Sequence, residues 1–259
     1  MNVVSLTTDF GWQDYYVGVL KGEILRHEIP VTFADITHSL DNFNIAQASY
    51  IVKNTFPSFP KNSIHLISVN NYYSIQPRFL AIKHKEHYFI GADNGIFSLI
   101  FDEQPEEIFE LNYDNNQKIC IEKIFAKAVG HILAQKPLED IGIKTKDMVQ
   151  RLSIQPITGK DHIRGSIIHI DKYKNVILNI DRALFERIGK NRSFELYFKR
   201  HDPITDMHSN YADVAVGEVL CFFNSAGLLE LAVNCDKAAT LYGLELDETI
   251  QIDFLNPPT

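Results

Sequence analysis

The sequence predicts a two-domain chain, with an α/β domain over residues 1–155 followed by an all-β domain over residues 163–259. Three observations predict it. The first half alternates strand-like and helix-like apolar runs, the pattern of a mainly parallel central sheet covered by helices. From about Arg164 the pattern changes to short runs rich in β-branched and aromatic residues, separated by turns. Between the two lies a polar stretch, Gln155 to His162, containing Pro156, Gly159 and Lys160, which reads as the boundary.

Taken in order, Val3 to Leu6 reads as a strand, Tyr15 to His27 as a helix, Val31 to Asp35 as a strand, Ile45 to Thr55 as a helix and Ile64 to Val69 as a strand. In the first helix Tyr16, Leu20 and Ile24 recur at helical spacing, and Gly18 and Gly22 are expected to permit a close approach to a neighbouring element. Leu80 to Ile90 reads as a hairpin turning at His84-Lys85-Glu86-His87, which places both histidines in solvent. Ile121, Ile124, Phe125, Ala128 and Ile132 mark a further helix that ends near Pro137. In the second domain the strands are Ile167–Ile170, Val176–Ile180, Phe194–Phe198, Val219–Phe223, Leu228–Val233 and Thr249–Phe254.

Composition narrows the function. With 259 residues, 45% of them hydrophobic, the chain can bury a sizeable core. A net charge of −8 provides no basic footprint for nucleic acid and suits a neutral or cationic ligand better. Three widely spaced cysteines point to a reducing compartment, and no apolar run is long enough to span a bilayer, so a soluble, cytoplasmic protein with no membrane partner is expected. The dinucleotide, P-loop, hydrolase-elbow and zinc signatures are missing, and no metal is expected.

Thr7-Thr8-Asp9-Phe10-Gly11 directly follows the first strand, and a carboxylate there stands at the end of the sheet where α/β folds bind ligands. Asp9 can accept from ribose hydroxyls, or it can simply cap the following turn. Further along come Tyr16-Val17-Gly18-Val19-Leu20-Lys21-Gly22, Asp35-Ile36-Thr37-His38 and Ala92-Asp93-Asn94-Gly95. The second domain contributes Ile170-Asp171-Lys172-Tyr173-Lys174-Asn175 and Asn224-Ser225-Ala226-Gly227-Leu228-Leu229-Glu230. This ordered series resembles the S-adenosylmethionine hydroxide adenosyltransferases, relatives of the fluorinases and chlorinases.

The resemblance implies a seven-stranded α/β domain, a C-terminal β-barrel domain, and a homotrimer with an intersubunit ligand pocket. It implies S-adenosylmethionine as substrate or ligand, with no separate cofactor. By position, Asp9 would hold the ribose hydroxyls, and Asp171 and Asn175 would face the methionine end. The strand end from Phe222 through Asn224 to Ser225 would border adenine. Phe43 matches an aromatic wall near the reacting carbon, and it also reads as ordinary helix-end packing.

The chain departs from the family at the groups taken to prepare water. The aspartate position holds Asn70, the first arginine position holds Pro77 with Arg78 beside it, and the histidine position falls on Cys120. Asparagine cannot take a proton at neutral pH and proline offers no donor. Arg78 replaces a residue at 77 only through a bulge or a shifted alignment, because neighbouring side chains of an extended segment point oppositely. Cys120 precedes a helix, where a thiol can become more acidic, or it is an inert buried cysteine. Tyr72 and Tyr73 replace small family residues and would narrow the region where water or halide sits. The family reaction is displacement at C5′ by water, giving adenosine and methionine, and in this chain it is expected to be weak or lost, with halogenase activity not expected. The alternative is a non-catalytic adenosine-binding or structural trimer.

Overall fold

In the computed structural model, which describes residues 2–114, 118–199 and 201–255, the chain forms two units, residues 1–152 and 153–259. The first contains β1 (Val3–Thr8), α1 (Tyr16–Leu25), β2 (Thr32–Thr37), α2 (Ile45–Thr55), β3 (Ile64–Ser68), β4 (Phe79–His84), β5 (His87–Ala92), α3 (Ile96–Ile100), β6 (Glu107–Leu111), α4 (Ile121–Leu133) and β7 (Gly142–Thr145). Its seven strands lie in the order β2-β1-β3-β5-β4-β6-β7.

That sheet is mixed, which corrects the expectation of a mainly parallel one. β1 pairs in parallel with β2 and β3, and β3 with β5, whereas β4 is antiparallel to both β5 and β6, and β6 is antiparallel to β7. The cause is the β4–β5 hairpin: it inserts a reversed strand between two that run the same way, so alternation of strand and helix no longer implies parallel pairing. The strands from β1, β2, β3 and β5 still deliver their C-terminal ends to one edge.

Helices cover both faces. Leu20 and Ile24 of α1 pack with Phe125, Ala128 and Val129 of α4 over one face, and Ala48 and Val52 of α2 pack with Phe97 and Ile100 of α3 over the other. α1 buries Val17, Leu20 and Ile24. This stripe puts Gly18 and Gly22 on the opposite, solvent side, where an added Cβ would meet nothing within 4 Å, so they do not mediate close packing.

His84 and His87 are also buried rather than solvated. The turn consists of Lys85 and Glu86 alone, both at positive φ (48° and 63°), so the flanking histidines are paired strand residues. His84 packs on Phe101 and His87 on Phe56.

The second unit contains β8 (Ile157–Thr158), β9 (His162–Ile170), β10 (Val176–Asp181), α5 (Arg182–Gly189), β11 (Phe194–Tyr197), β12 (Val219–Phe223), β13 (Leu228–Val233), α6 (Ala238–Tyr242) and β14 (Thr249–Phe254). The polar stretch expected to contain the domain boundary supplies β8, which pairs with β9. The sheet runs β11-β14-β9-β10-β13-β12. β9 pairs with β14 through His162–Ser166 and with β10 through Ile167–Ile170, and this change of partner curls the sheet. Its edges are linked through single bridges, Leu196 to Ile204 and Met207 to Cys221, rather than by a ladder between β11 and β12. The unit is therefore β-rich with a curled sheet, and two helices interrupt the all-β pattern. α5 has its own start signal, since the Asp181 carboxylate caps the amide of Leu184 at 2.7 Å.

Candidate functional site

Asp9 lies one residue beyond β1 and is 9% exposed. Its carboxylate does not cap the helix that follows. Instead Oδ2 accepts the backbone amides of Phe43 at 2.9 Å and Asn70 at 3.3 Å, and its carbonyl accepts Nδ2 of Asn42 at 3.0 Å. One side chain thus gathers the loops that follow β1, β2 and β3 at a single edge. Phe43 and Asn70 adopt positive φ, 66° and 47°, which asparagine tolerates and phenylalanine does not favour. A charge-assisted bond from each amide holds them there. Phe43 is 69% exposed, so helix-end packing does not account for its ring.

Nearby, Nδ1 of the fully buried His38 lies 2.8 Å from the Thr8 hydroxyl, and its Nε2 is 3.1 Å from Asp35 Oδ1, close but not aligned for a hydrogen bond. Trp12 packs edge-on against that ring. Asn94 donates to the carbonyls of Val69 at 2.9 Å and Asn70 at 3.1 Å, clamping the loop that carries Asn70.

The structure gives Arg78 a structural set of partners. Its Nε donates to Glu110 at 2.9 Å, and its Nη1 is 3.2 Å from Oδ2 of Asp93, which is 1% exposed. Burial pushes the Asp93 carboxyl up, while the amide of Val149 and the Arg78 guanidinium pull it back. Pro77 is buried and its carbonyl accepts the Tyr113 hydroxyl at 2.5 Å. Cys120 is the N-cap residue of α4, and its thiol donates to the Glu122 carboxylate at 3.3 Å without accepting a bond from the helix amides. Tyr72 reaches toward the same helix start, donating to the carbonyl of Ile119 at 3.3 Å, and burial followed by the charges of Glu122 and Cys120 raises its phenol. Tyr73 accepts the backbone amide of Arg78 at 3.2 Å and packs on the core.

In the second unit, Asp171 and Asn175 bracket the β9–β10 connection. Asp171 Oδ1 accepts the Asn175 amide at 2.8 Å and its Oδ2 accepts Asn175 Nδ2 at 3.2 Å, with Lys174 between them at φ 67°. Asn224 shapes the β12–β13 turn, since its Oδ1 accepts the amides of Ala226 at 3.0 Å and Leu228 at 3.2 Å. Ser225 is exposed in that turn and Phe222 is half-buried on β12.

Two residues to which the sequence reading gave no role, Tyr211 and Glu230, connect these turns. Tyr211 accepts from Asn175 Nδ2 at 3.0 Å and donates to Glu230 Oε1 at 2.9 Å, and Asn224 Nδ2 donates to Glu230 Oε2 at 3.1 Å. The Tyr211 ring packs edge-on against Phe222 with centroids 5.1 Å apart. Glu230 carried a signal, a single acid within the apolar run Leu228-Leu229-Glu230-Leu231-Ala232. Tyr211 carried none, because it comes from a loop turn held by the Asn210–Asp213 capping box. Among the described residues, no group of three or more His, Cys, Asp or Glu could hold a metal ion, and no helix is long and apolar enough to cross a membrane.

The chain is 25% identical to an (R)-S-adenosyl-L-methionine hydrolase of Methanocaldococcus jannaschii, across 97% of this chain and 96% of that one. It is 25% identical to one of Thermus thermophilus, across 95% and 97%. A crystal structure of an uncharacterized conserved protein from Thermotoga maritima superposes with a TM-score of 0.86 at 26% identity, covering 97% of this chain and 99% of the other. Residues 4–142 match the SAM hydroxide adenosyltransferase N-terminal domain and residues 165–251 match its C-terminal domain, so the chain belongs to the SAM hydroxide adenosyltransferase family.

Proposed function

We propose that this protein binds S-adenosylmethionine and displaces methionine from C5′ with water only slowly, releasing adenosine. In that step the C5′–S bond breaks, a C5′–O bond forms, methionine departs as a neutral thioether and the water proton passes to solvent. The observation that carries the reading is a contrast between the two ends of the recognition chemistry. Asp9 and Asp171 are built acceptors, and Asn175 is held in place by donating its backbone and side-chain N–H groups to Asp171. At the positions expected to prepare water stand Asn70, Pro77 and Cys120, and Arg78 is engaged by Asp93 and Glu110.

A sulfonium is already a good leaving group, so alignment and desolvation of water supply part of the acceleration without a base. The ribose diol is assigned to Asp9 and the α-ammonium to Asp171 and Asn175. Adenine is assigned to the Phe222, Asn224 and Ser225 turn, and Phe43 to the sugar side. The reading includes a homotrimer and a cytoplasmic location.

The test is chromatography of an overnight incubation with S-adenosylmethionine, alongside a thermal melt with and without ligand. Expected are a raised melting temperature, since a ligand bound only to the folded state stabilises it, and a small yield of adenosine plus methionine. Absence of a shift at saturating ligand removes the binding claim, and rapid release of adenosine removes the claim of slow turnover.

A further inference from the structure

Glu230 sits in the middle of β13 and is only 6% exposed, although a carboxylate taken out of water is costly unless its oxygens are bonded. Burial pushes its carboxyl up, and the bonds from Asn224 and Tyr211 oppose that rise. Its two oxygens serve different turns, Oε1 accepting from Tyr211 at 2.9 Å and Oε2 from Asn224 at 3.1 Å.

A carboxylate accepts and does not donate, which determines the direction of each bond beyond it. The one hydroxyl proton of Tyr211 is directed at Glu230, so on its other side the phenol oxygen can only accept. The group it meets there, 3.0 Å away, is Asn175 Nδ2. The same nitrogen lies 3.2 Å from Asp171 Oδ2, another obligate acceptor. With acceptors on both sides this atom has to be the amide nitrogen, and the usual ambiguity of an asparagine side chain disappears. Both amide protons are used, and among the described residues no donor reaches Asn175 Oδ1.

We propose that Glu230 is a positioning residue that acts through Tyr211 to lock the Asn175 amide with its oxygen unengaged, so that Asp171 and Asn175 present acceptors only and select a ligand carrying an ammonium or amine donor. The ligand's identity rests on the reading under Proposed function; the polarity of the amide does not. Glu230→Gln breaks the logic specifically, because a glutamine has one accepting and one donating end, and either Tyr211 or Asn224 then faces a donor. Tyr211→Phe removes the relay while leaving Asn224 bonded to Glu230.

The coupling is tested without ligand, in the full chain labelled with 15N at asparagine. The Asn175 side-chain amide pair, assigned by its loss in Asn175→Asp, is expected to shift in Tyr211→Phe and in Glu230→Gln, while that of Asn54 on α2 stays in place. An Asn175 signal unmoved by both variants overturns the coupling. Selection is tested by titrating S-adenosylmethionine against 5′-methylthioadenosine, the same nucleoside without the amino-acid end. Tyr211→Phe is expected to weaken the former about tenfold and the latter less than about threefold, the loss of one bond to a charged or polar partner. Equal weakening of both ligands overturns selection at Asn175. If the unmodified protein binds neither, the proposed function and the ammonium selection both fall, and the asparagine signals still decide the coupling.

Discussion

The carboxylate of Asp9 accepts the backbone amide of Phe43 at 2.9 Å, joining residues 34 positions apart and holding Phe43 at φ 66°. The same oxygen takes the amide of Asn70. Asp9 therefore serves the local fold before it serves any ligand, and a substitution there has two separable effects. Asp9→Asn retains an acceptor of the same shape and is expected to cost about 1 kcal/mol in denaturant unfolding, whereas Asp9→Ala is expected to cost about 2–3 kcal/mol by leaving two amides without their charged acceptor. Both variants should lose adenosine binding, because neither supplies a carboxylate to a ribose diol. Full adenosine affinity in Asp9→Asn would restrict Asp9 to its structural role.

Arg78 is expected to behave as a structural residue. Removing it strands the buried Asp93 carboxylate, and Arg78→Ala should destabilise the N-terminal unit by on the order of 3 kcal/mol in urea unfolding. Arg78→Lys keeps a charge but not the fork that reaches both Asp93 and Glu110, and should lose roughly half as much. A variant of unchanged stability that has lost adenosine release would instead place Arg78 in the chemistry.

Acid should weaken the N-terminal unit through its buried histidines. His65 accepts or donates at both nitrogens, 2.7 Å from the Ser5 hydroxyl and 3.2 Å from His87, among Phe56, Phe59 and Phe89. Burial, then the neighbouring His87, pushes His65 down from 6.5 to about 3. Burial also lowers His87 and His84, against the opposing pull of Glu86 on the first and of Glu106 and Glu103 on the second. With folded values below the unfolded one, the unfolded chain binds more protons in that window. The stabilising contribution is complete above pH 6.5 and is lost as pH falls toward 3. Urea midpoints measured across this range should fall with pH, and His65→Gln should flatten the slope. An equal slope in the variant would assign the acid sensitivity elsewhere.

How legible this was depended on the range of the interactions. Asp9 was a candidate from its place at a strand end, Asp171 and Asn175 only through the family resemblance, and α2 could be bounded at Ile45–Thr55 because its apolar spacing is local. The antiparallel insertion of β4 could not be read from alternation, since periodicity reports which face is buried and not strand direction. His84 and His87 were assigned to solvent because the turn was read as four residues long; two consecutive positive φ values shorten it and turn both rings inward. The link from Tyr211 to Glu230 spans 19 positions between a loop and a strand, and neither composition nor spacing encodes it.

The proposal that Asn70, Pro77 and Cys120 stand where the family prepares water can be tested by replacing them, and the three positions are not equally open to it. Pro77 is buried with its carbonyl bonded to Tyr113, so Pro77→Arg would put a guanidinium into a packed position and is expected to reduce stability before it aids chemistry. Asn70 is better placed. Its backbone amide already contacts the Asp9 carboxylate at 3.3 Å, so Asn70→Asp adds a second carboxylate to the residue that Asp9 holds, and a like charge close by raises the pKa of one of the two. A carboxylate titrating closer to neutrality is a more effective proton acceptor for water. Asn70→Asp with Cys120→His is therefore expected to raise adenosine release from S-adenosylmethionine by on the order of a hundredfold, with the gain disappearing as pH falls and the new carboxylate is protonated. Asn70→Ala with Cys120→His controls for a merely enlarged site and should gain nothing. If both double variants release adenosine at the unmodified rate, slow turnover does not come from the missing base, and the aromatic side chains Tyr72 and Tyr73 become the groups to replace next.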